Sequence, residues 1–200
     1  PNDFKHIKTI VSFGGNQSNF MYALSQLAKI NNWRFEYWVK PLPKFLTTNP
    51  NGNLLLSLDN KMNLRETTNT LTLDNIKNHY TDNDSIYFFD QGGRNSDAEL
   101  GITDCALEIK NYCSDNNINE YSVVVASGTG TTALYLEKSL PNKVYTVACI
   151  GDDVYLQQQF KTIDNNLEHP QILQKTFKAN FGELNISNYE KYNKLLNQTN

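Results

Sequence analysis

The segment 127-SGTGTTA-133 holds the residues whose types and spacing point most directly to binding chemistry. It follows a short apolar stretch and opens a helical pattern, so that glycines and hydroxyls meet at a predicted helix start. Backbone N–H groups at such a start, with glycines that let an anion approach, favour a phosphate. The segment lacks the lysine of a GxxxxGK[ST] loop and the third glycine of GxGxxG. It therefore indicates either a phosphate cradle or an ordinary strand-to-helix turn with a threonine cap.

A second glycine-rich turn, 14-GGNQSN-19, also stands between a predicted strand and a predicted helix. Small amide and hydroxyl side chains at a helix start can hold a carboxylate, because the N–H groups and the helix dipole favour negative charge there. The alternative is that Asn16 and Ser18 only cap the helix. A third turn, 91-QGGRN-95, contains Arg94, which is either a carboxylate or phosphate clamp or a solvated loop arginine.

Short β-branched stretches alternate with longer helical patterns along most of the chain, and this alternation positions the three turns. It predicts a doubly wound, mostly parallel sheet in an α/β fold, with helices on both faces and ligands beyond the carboxyl ends of the strands. The region 63–82 is ambiguous, 164–200 shows no strand pattern, and the Pro- and Asn-rich stretch 41–53 indicates a linker or a loop. The predicted strands are 7–13, 35–40, 85–90, 121–127 and 144–150, and the predicted helices are 18–32, 54–62, 97–116, 132–140, 151–163 and 188–198.

The composition of the 200 residues excludes several classes of protein. Aromatic residues make up 12%, which argues against intrinsic disorder, and a net charge of −3 argues against a chain-wide basic surface for nucleic acid. The longest apolar stretches hold about seven residues, whereas a membrane-spanning helix needs ~20. Three cysteines without a CxxC pair, and histidines without metal-ligand spacing, predict no disulfide framework, no metal site and a reducing cytoplasm. We expect Cys105, Cys113 and Cys149 to be buried.

Taken together, the three turns resemble one family of enzymes. The segment 12-SFGGNQSNFMYALSQLA-28 is similar to the SxGGxQSNxxxAxAxxA signature of the pyridoxal-phosphate enzymes related to 1-aminocyclopropane-1-carboxylate deaminase and D-cysteine desulfhydrase. The similarity continues in 91-QGGRNSDAELGITDCALEI-109 and 127-SGTGTTALYL-136, in the same order, and covers residues 6 to about 183. The resemblance implies the fold of this family, which is the tryptophan synthase β-like fold with two subdomains.

The resemblance also assigns roles to residues in two of the turns. It implies pyridoxal 5'-phosphate as the cofactor, with Asn19 hydrogen-bonded to its phenolic oxygen. Ser18, with Gln17, Asn19 and the helix start, would bind the carboxylate of a small amino-acid substrate, whereas Asn16 stands at a variable position of the signature. The residues that would hold the cofactor phosphate are Gly128, Thr129, Gly130, Thr131 and Thr132.

One part of the family pattern is absent from this sequence. Enzymes of this kind join the cofactor to a lysine, which in the family lies in a GNKxRK-like segment well before the SxGGxQSN turn. Here eleven residues precede Ser12, the chain starts at Pro1, and Lys5 and Lys8 stand in no such motif. We therefore expect the chain to be the middle portion of a longer enzyme. We also expect it to lack the Schiff-base lysine and the family's C-terminal segment, and to be inactive as it stands.

From the sequence we expect the chain to form part of a deaminase or lyase that acts on a small amino acid. We expect residues 1–90 to form a smaller domain with the GGNQSN turn, and residues 91–200 to form part of a larger cofactor-binding domain. A homodimer is the expected assembly, since the family is commonly dimeric. Two alternatives stay open. One is a non-catalytic α/β module that binds a phosphorylated small molecule, and the other is a structural fragment whose turns are all helix caps.

Overall fold

Two parallel β-sheets carry the fold, and the computed structural model describes residues 4–165, 168–175 and 186–199. The first sheet contains β1 (Thr9–Phe13), β2 (Arg34–Val39), β3 (Asn63–Glu66) and β4 (Ile86–Phe88), in the order β3-β2-β1-β4. The second contains β5 (Val123–Ser127), β6 (Val144–Ala148) and β7 (Gln171–Ile172), in the order β5-β6-β7. All of these strand pairs are parallel. The predicted α/β class with mostly parallel sheets is confirmed.

The helices lie between the strands, as the alternation of patterns predicts. They are α1 (Asn19–Asn31), α2 (Lys44–Thr48), α3 (Gly52–Asp59), α4 (Leu73–Lys77), α5 (Ala98–Asp115), α6 (Thr131–Ser139), α7 (Asp153–Ile163) and α8 (Ile186–Thr199). Short 3-10 turns occur at Phe4–His6 and Gln91–Gly93. Within the described residues, no helix is long and apolar enough to cross a membrane.

The central strands β1 and β2 of the first sheet are buried on both faces, so nearly every one of their residues is buried instead of every second one. On one face, Ile10 packs in a core with Leu24 of α1 and Leu54 of α3. On the other face, Val11 packs in a core with Ile76 of α4. This packing fixes α1 against the sheet, and with it the GGNQSN turn that joins β1 to α1.

The second sheet has its core on the face that α6 and α7 cover. Leu134 of α6 and Leu156 and Phe160 of α7 are fully buried in this core together with Ala148 of β6. By contrast, Val124 on the edge strand β5 keeps 62% of its surface exposed. The buried face holds the start of α6 close to the carboxyl end of β5.

Short elements occur where the sequence predicts none. The ambiguous region 63–82 contains β3 and α4, and the supposedly strand-free region 164–200 contains β7. These strands have four and two residues, too few for a local pattern, and they form because they pair with β2 and β6. The stretch 41–53 contains α2, whose Leu46 is buried in the core of the first sheet, so this stretch is not a linker. Residues 166–167 and 176–185 of the predicted strand-free region lie outside the described residues.

Candidate functional site

Glycine-rich turns from both sheets line one cavity of about 550 Å³. One wall is the turn between β1 and α1, and the opposite wall is the turn between β5 and α6. Both turns lie at the carboxyl ends of parallel strands, which is the edge where α/β sheets bind ligands. The structure thus brings together the two turns that the sequence offers separately as candidate anion sites. The predicted site residues that line the cavity are Gln17, Ser18, Asn19, Gly128, Thr129, Gly130, Thr131 and Thr132.

The start of α6 carries no side-chain cap. Its N-cap residue is Gly130, and no side chain caps the helix, so the alternative of a threonine cap is wrong. The first N–H groups of α6 are therefore left for a ligand or for water. The hydroxyl oxygens of Thr129 and Thr131 lie 3.1 Å apart beside this helix start. Hydroxyl donors next to uncapped N–H groups suit a phosphate, which accepts hydrogen bonds at several oxygens.

Gly130 also allows α6 to pack closely on α7. A Cβ atom on this residue would lie 2.5 Å from Cε1 of Phe160 and 2.9 Å from Cδ1 of Leu156. Its φ of +80° is a second reason for glycine, because residues with a side chain adopt this conformation only with strain. One residue therefore sets both the entry of the chain into α6 and the fit between two helices below the cavity.

The start of α1 is capped, in contrast to that of α6. The Ser18 hydroxyl accepts a hydrogen bond from the N–H of Met21 at 3.3 Å, as expected of a capping serine. Beneath the turn, the Tyr37 hydroxyl donates to the carbonyl oxygen of Gly15 at 3.4 Å. Burial raises the pKa of Tyr37 well above its ordinary value, and a hydrogen bond with Ser18 offsets part of this rise. The phenol therefore stays protonated and supports the turn from below.

The side chain of Gln17 contacts the start of α3. Its Oε1 accepts a hydrogen bond from the N–H of Asn53 at 3.0 Å, and its Nε2 donates to the carbonyl oxygen of Asn51 at 3.2 Å. The side chain of Asn53 in turn donates to Oδ1 of Asn19 at 2.7 Å. These hydrogen bonds occupy the side chain of Gln17. Only the main chain of Gln17 is then left to bind a substrate carboxylate, and this role stays a prediction.

Arg94 is neither the anion clamp nor the solvated loop residue that its sequence context suggests. Its Nη1 donates a hydrogen bond of 2.6 Å to Oε1 of Gln159, and its Nη2 lies 3.2 Å from the carboxylate of Asp90. Only 18% of its side chain is exposed, and it is not among the residues that line the cavity. Arg94 instead joins the loop after β4 to α7.

Reactive side chains are placed differently from the sequence expectation. Cys113 is buried as predicted, but Cys105 and Cys149 are exposed. Cys149 lines the cavity because β6 ends at Ala148, before the end of the predicted strand. None of the lysines in the described part of the chain lines the cavity. Nor do those residues contain a group of three or more His, Cys, Asp or Glu side chains that could hold a metal ion.

Comparison with known proteins relates this geometry to one fold. No protein-family model matches the chain, and no curated protein matches it in sequence. Among solved structures, an ACC deaminase homologue matches with a TM-score of 0.62 and 17% identity, over 89% of this chain and 58% of its own. A hydrogen sulfide-producing enzyme from Fusobacterium nucleatum matches with a TM-score of 0.55 and 13% identity, over 76% and 50% of the two chains. Cysteine synthase from Entamoeba histolytica matches with a TM-score of 0.51 and 15% identity, over 72% and 41%.

At these identities the likeness establishes the fold alone. The chain has the tryptophan synthase β-like fold, as the resemblance of its three turns implies. It spans about half the length of the solved structures that it matches.

Sequence reasoning missed two residues that shape the site. Tyr37 stands inside an apolar strand and gives no sign of facing the neighbouring turn. Asn53 follows Asn51 and Gly52 in a stretch read as a linker or loop. The start of α3 is the signal that could have indicated Asn53. This helix begins without a side-chain cap of its own, and the N–H of Asn53 donates to Gln17 instead.

Proposed function

We propose that the chain binds pyridoxal 5'-phosphate in the cavity between its two sheets, as part of an enzyme that acts on a small amino acid. The reaction class is deamination, with or without the release of sulfide. The observation that carries the proposal is that two glycine-rich turns at helix starts, one from each sheet, face the same cavity. When bound, this cofactor supplies a pyridine ring that accepts electrons from the substrate.

The residues present fit such a cofactor. The uncapped start of α6 offers N–H groups to a phosphate, and Gly128, Thr129, Thr131 and Thr132 line the cavity there. On the opposite wall, we assign Asn19 to the phenolic oxygen of the cofactor. Ser18, Asn19 and the main chain of Gln17 are assigned to the substrate carboxylate, as in the family that the turns resemble. This arrangement also supports a division into a smaller domain, 1–90, and part of a larger one, 91–200.

We further propose that this 200-residue chain is inactive by itself. The enzymes that it resembles join their cofactor to a lysine, and no lysine of the described residues lines the cavity. A lysine from elsewhere would have to complete the site, which is consistent with a chain that spans about half the length of its structural neighbours. A homodimer remains part of the proposal, and sedimentation velocity of the purified chain would test it.

The test of cofactor binding is a titration of the purified chain with pyridoxal 5'-phosphate, followed by its absorption spectrum and competed with inorganic phosphate. We expect saturable binding that phosphate displaces. Thr129→Val, which removes one hydroxyl with little change of shape, should weaken binding several-fold. Thr162→Val on α7 is the matched control, because its hydroxyl donates to the Gln158 carbonyl within the same helix. Absence of saturable binding would contradict the proposal.

A non-catalytic module that binds a phosphorylated small molecule is the second candidate, and the lack of a lysine at the cavity among the described residues favours it. Competition separates the two functions. If glycerol 3-phosphate displaces pyridoxal 5'-phosphate at equal concentration, the site recognises only the phosphate and the module is favoured.

Borohydride reduction with intact-mass measurement tests the inactivity of the chain. We expect no covalent adduct, and an adduct on a lysine of this chain would show that the site is complete.

A further inference from the structure

The carboxamide of Asn53 lies between two residues of the GGNQSN turn. Its Nδ2 donates to the backbone carbonyl of Gln17 at 3.1 Å and to Oδ1 of Asn19 at 2.7 Å. Its backbone N–H donates to Oε1 of Gln17 at 3.0 Å. The first turn of α3 and the first residue of α1 are thereby joined by a reciprocal set of hydrogen bonds.

Backbone groups fix the direction of every amide in this set. A carbonyl oxygen can only accept a hydrogen bond, so the atom of Asn53 that faces the Gln17 carbonyl must be the nitrogen. The same nitrogen faces Asn19, which must therefore present its oxygen. Reversing the Asn19 amide would set two NH2 groups against each other at 2.7 Å, and neither could accept. The network thus has one arrangement that satisfies its members.

We propose that Asn53 is a positioning residue that keeps the amide nitrogen of Asn19 available to the cavity as a hydrogen-bond donor. Asn19 lines the cavity, and within the described part of the chain its Nδ2 has no hydrogen-bond partner. Without this contact the Asn19 amide could rotate and present either its oxygen or its nitrogen. With it, the nitrogen is oriented to donate a hydrogen bond to an oxygen that carries negative charge. This inference rests on the proposed function, in which that oxygen is the ionised phenolic oxygen of pyridoxal 5'-phosphate.

The chain before Asn53 is adapted to this contact. Gly52 has a φ of +56°, and a Cβ atom there would lie 2.5 Å from Oε1 of Gln17. Glycine at this position therefore lets the start of α3 approach the turn closely enough for Asn53 to reach Asn19. The segment that the sequence indicates as a linker or a loop thus supplies residues that support the side chains lining the cavity.

The test compares how tightly variants of the 200-residue chain bind pyridoxal 5'-phosphate and 3-deoxypyridoxal 5'-phosphate, which lacks the phenolic oxygen. Asn53→Asp keeps the shape of the side chain but replaces the donor with acceptors, so the Asn19 amide must rotate and turn its oxygen to the cavity. Asn51→Asp is the matched control, since it makes the same chemical change two residues away, where the side chain caps nothing. Equilibrium dialysis measures both ligands, and inorganic phosphate reports on the α6 site.

We expect the unmodified chain and Asn51→Asp to prefer pyridoxal 5'-phosphate roughly tenfold over the deoxy analogue, the size of one hydrogen bond to a charged group. Asn53→Asp should lose this preference while its affinity for inorganic phosphate stays unchanged. Should Asn53→Asp fail to fold, Asn53→Ala decides, because it frees the Asn19 amide and should reduce the preference several-fold.

Two results would overturn the inference, and they differ in what else they overturn. If both ligands bind and the Asn53 variants keep the full preference, Asn53 does not orient Asn19, and the proposed function stands. If the unmodified chain binds phosphate but neither pyridoxal compound, the proposed function fails and takes this inference with it.

Discussion

Arg94, in the loop after β4, donates a hydrogen bond of 2.6 Å from Nη1 to the side-chain oxygen of Gln159 on α7. The two residues are 65 positions apart and belong to elements packed with different sheets. Asp90 holds the guanidinium from its other side, with 3.2 Å between the carboxylate and Nη2. This bond therefore connects the two sheets whose turns face each other across the cavity.

Replacing Arg94 with alanine should lower the free energy of unfolding by about 1–3 kcal/mol, the range for a hydrogen bond to a charged group whose partner is left buried. Gln159 is the partner left behind, and it is buried. Urea unfolding followed by circular dichroism measures the change. Arg34→Ala is the control, because the Arg34 side chain is 75% exposed and should contribute less. Equal losses of unfolding free energy in the two variants would show that the bond between the sheets stabilises the chain no more than an exposed arginine does.

Gly130→Ala should destabilise the chain by about 2–4 kcal/mol, because the new methyl group meets α7 and the residue must hold a positive φ. The matched control is Gly101→Ala within α5, where an added Cβ atom contacts nothing. This control should stabilise the chain by about 0.5–1 kcal/mol, since alanine favours a helix over glycine. Chemical denaturation of the two variants gives the comparison. A stable Gly130→Ala variant would mean that α6 and α7 can move apart.

Ser18 has two assigned roles, and a pair of substitutions separates them. Ser18→Ala removes the cap of α1 and should cost about 1 kcal/mol of unfolding free energy. Ser18→Asp keeps a capping oxygen and adds a charge that the helix start favours, so it should keep the stability. Its carboxylate should nevertheless repel a substrate carboxylate and abolish the binding of a small amino acid to the cofactor-loaded chain. Unchanged amino-acid binding in Ser18→Asp would remove Ser18 from the proposed site.

A polar network on the face of the first sheet that α4 covers should make the free energy of unfolding fall at high pH. Tyr80 donates to the Glu36 carboxylate at 2.9 Å and accepts from the Trp38 indole at 2.9 Å. Burial, with the nearby charge of Glu36, raises the pKa of Tyr80 to about 12 from an ordinary 10. The phenol thus prefers its neutral form when folded. Its contribution is complete below pH 10 and is lost as the pH rises towards 12.

The measurement is the midpoint of urea unfolding at pH 9 and at pH 11, for the unmodified chain and for Tyr80→Phe. Tyr80→Phe should be less stable at pH 9, because Glu36 and Trp38 lose a partner, but it should lose less on going to pH 11. Other tyrosines titrate in both proteins, so the difference between the two slopes isolates Tyr80. Parallel slopes would contradict the assignment.

The sequence is informative wherever structure is local. The capping serine at 18 and the glycine-rich turns before α1 and α6 stand where their types and spacing predict, because a helix start is decided by neighbouring residues. The long helix 98–115 is found for the same reason, since its pattern repeats over several turns. The resemblance of three ordered turns adds the fold, which the solved structures confirm.

What the sequence could not supply depends on contacts between distant segments. The strand β3 is polar, and it exists because β2 offers a free edge. Asn53 reaches Asn19 across 34 positions, and no periodicity predicts that meeting. Arg94 carries a charge that suits an anion, yet its guanidinium is taken by Gln159 and Asp90. In each case a tertiary partner overrides the local interpretation.

The close approach of Gly92 to the start of α6 makes two distant positions share one small volume. A Cβ atom on Gly92 would lie 2.6 Å from Oγ1 and 2.7 Å from Cγ2 of Thr129. A side chain at 92 is therefore excluded twice, because it would meet Thr129 and because the φ of +65° at this position would strain it. Related sequences that keep this contact should therefore hold glycine at 92 even where position 129 varies.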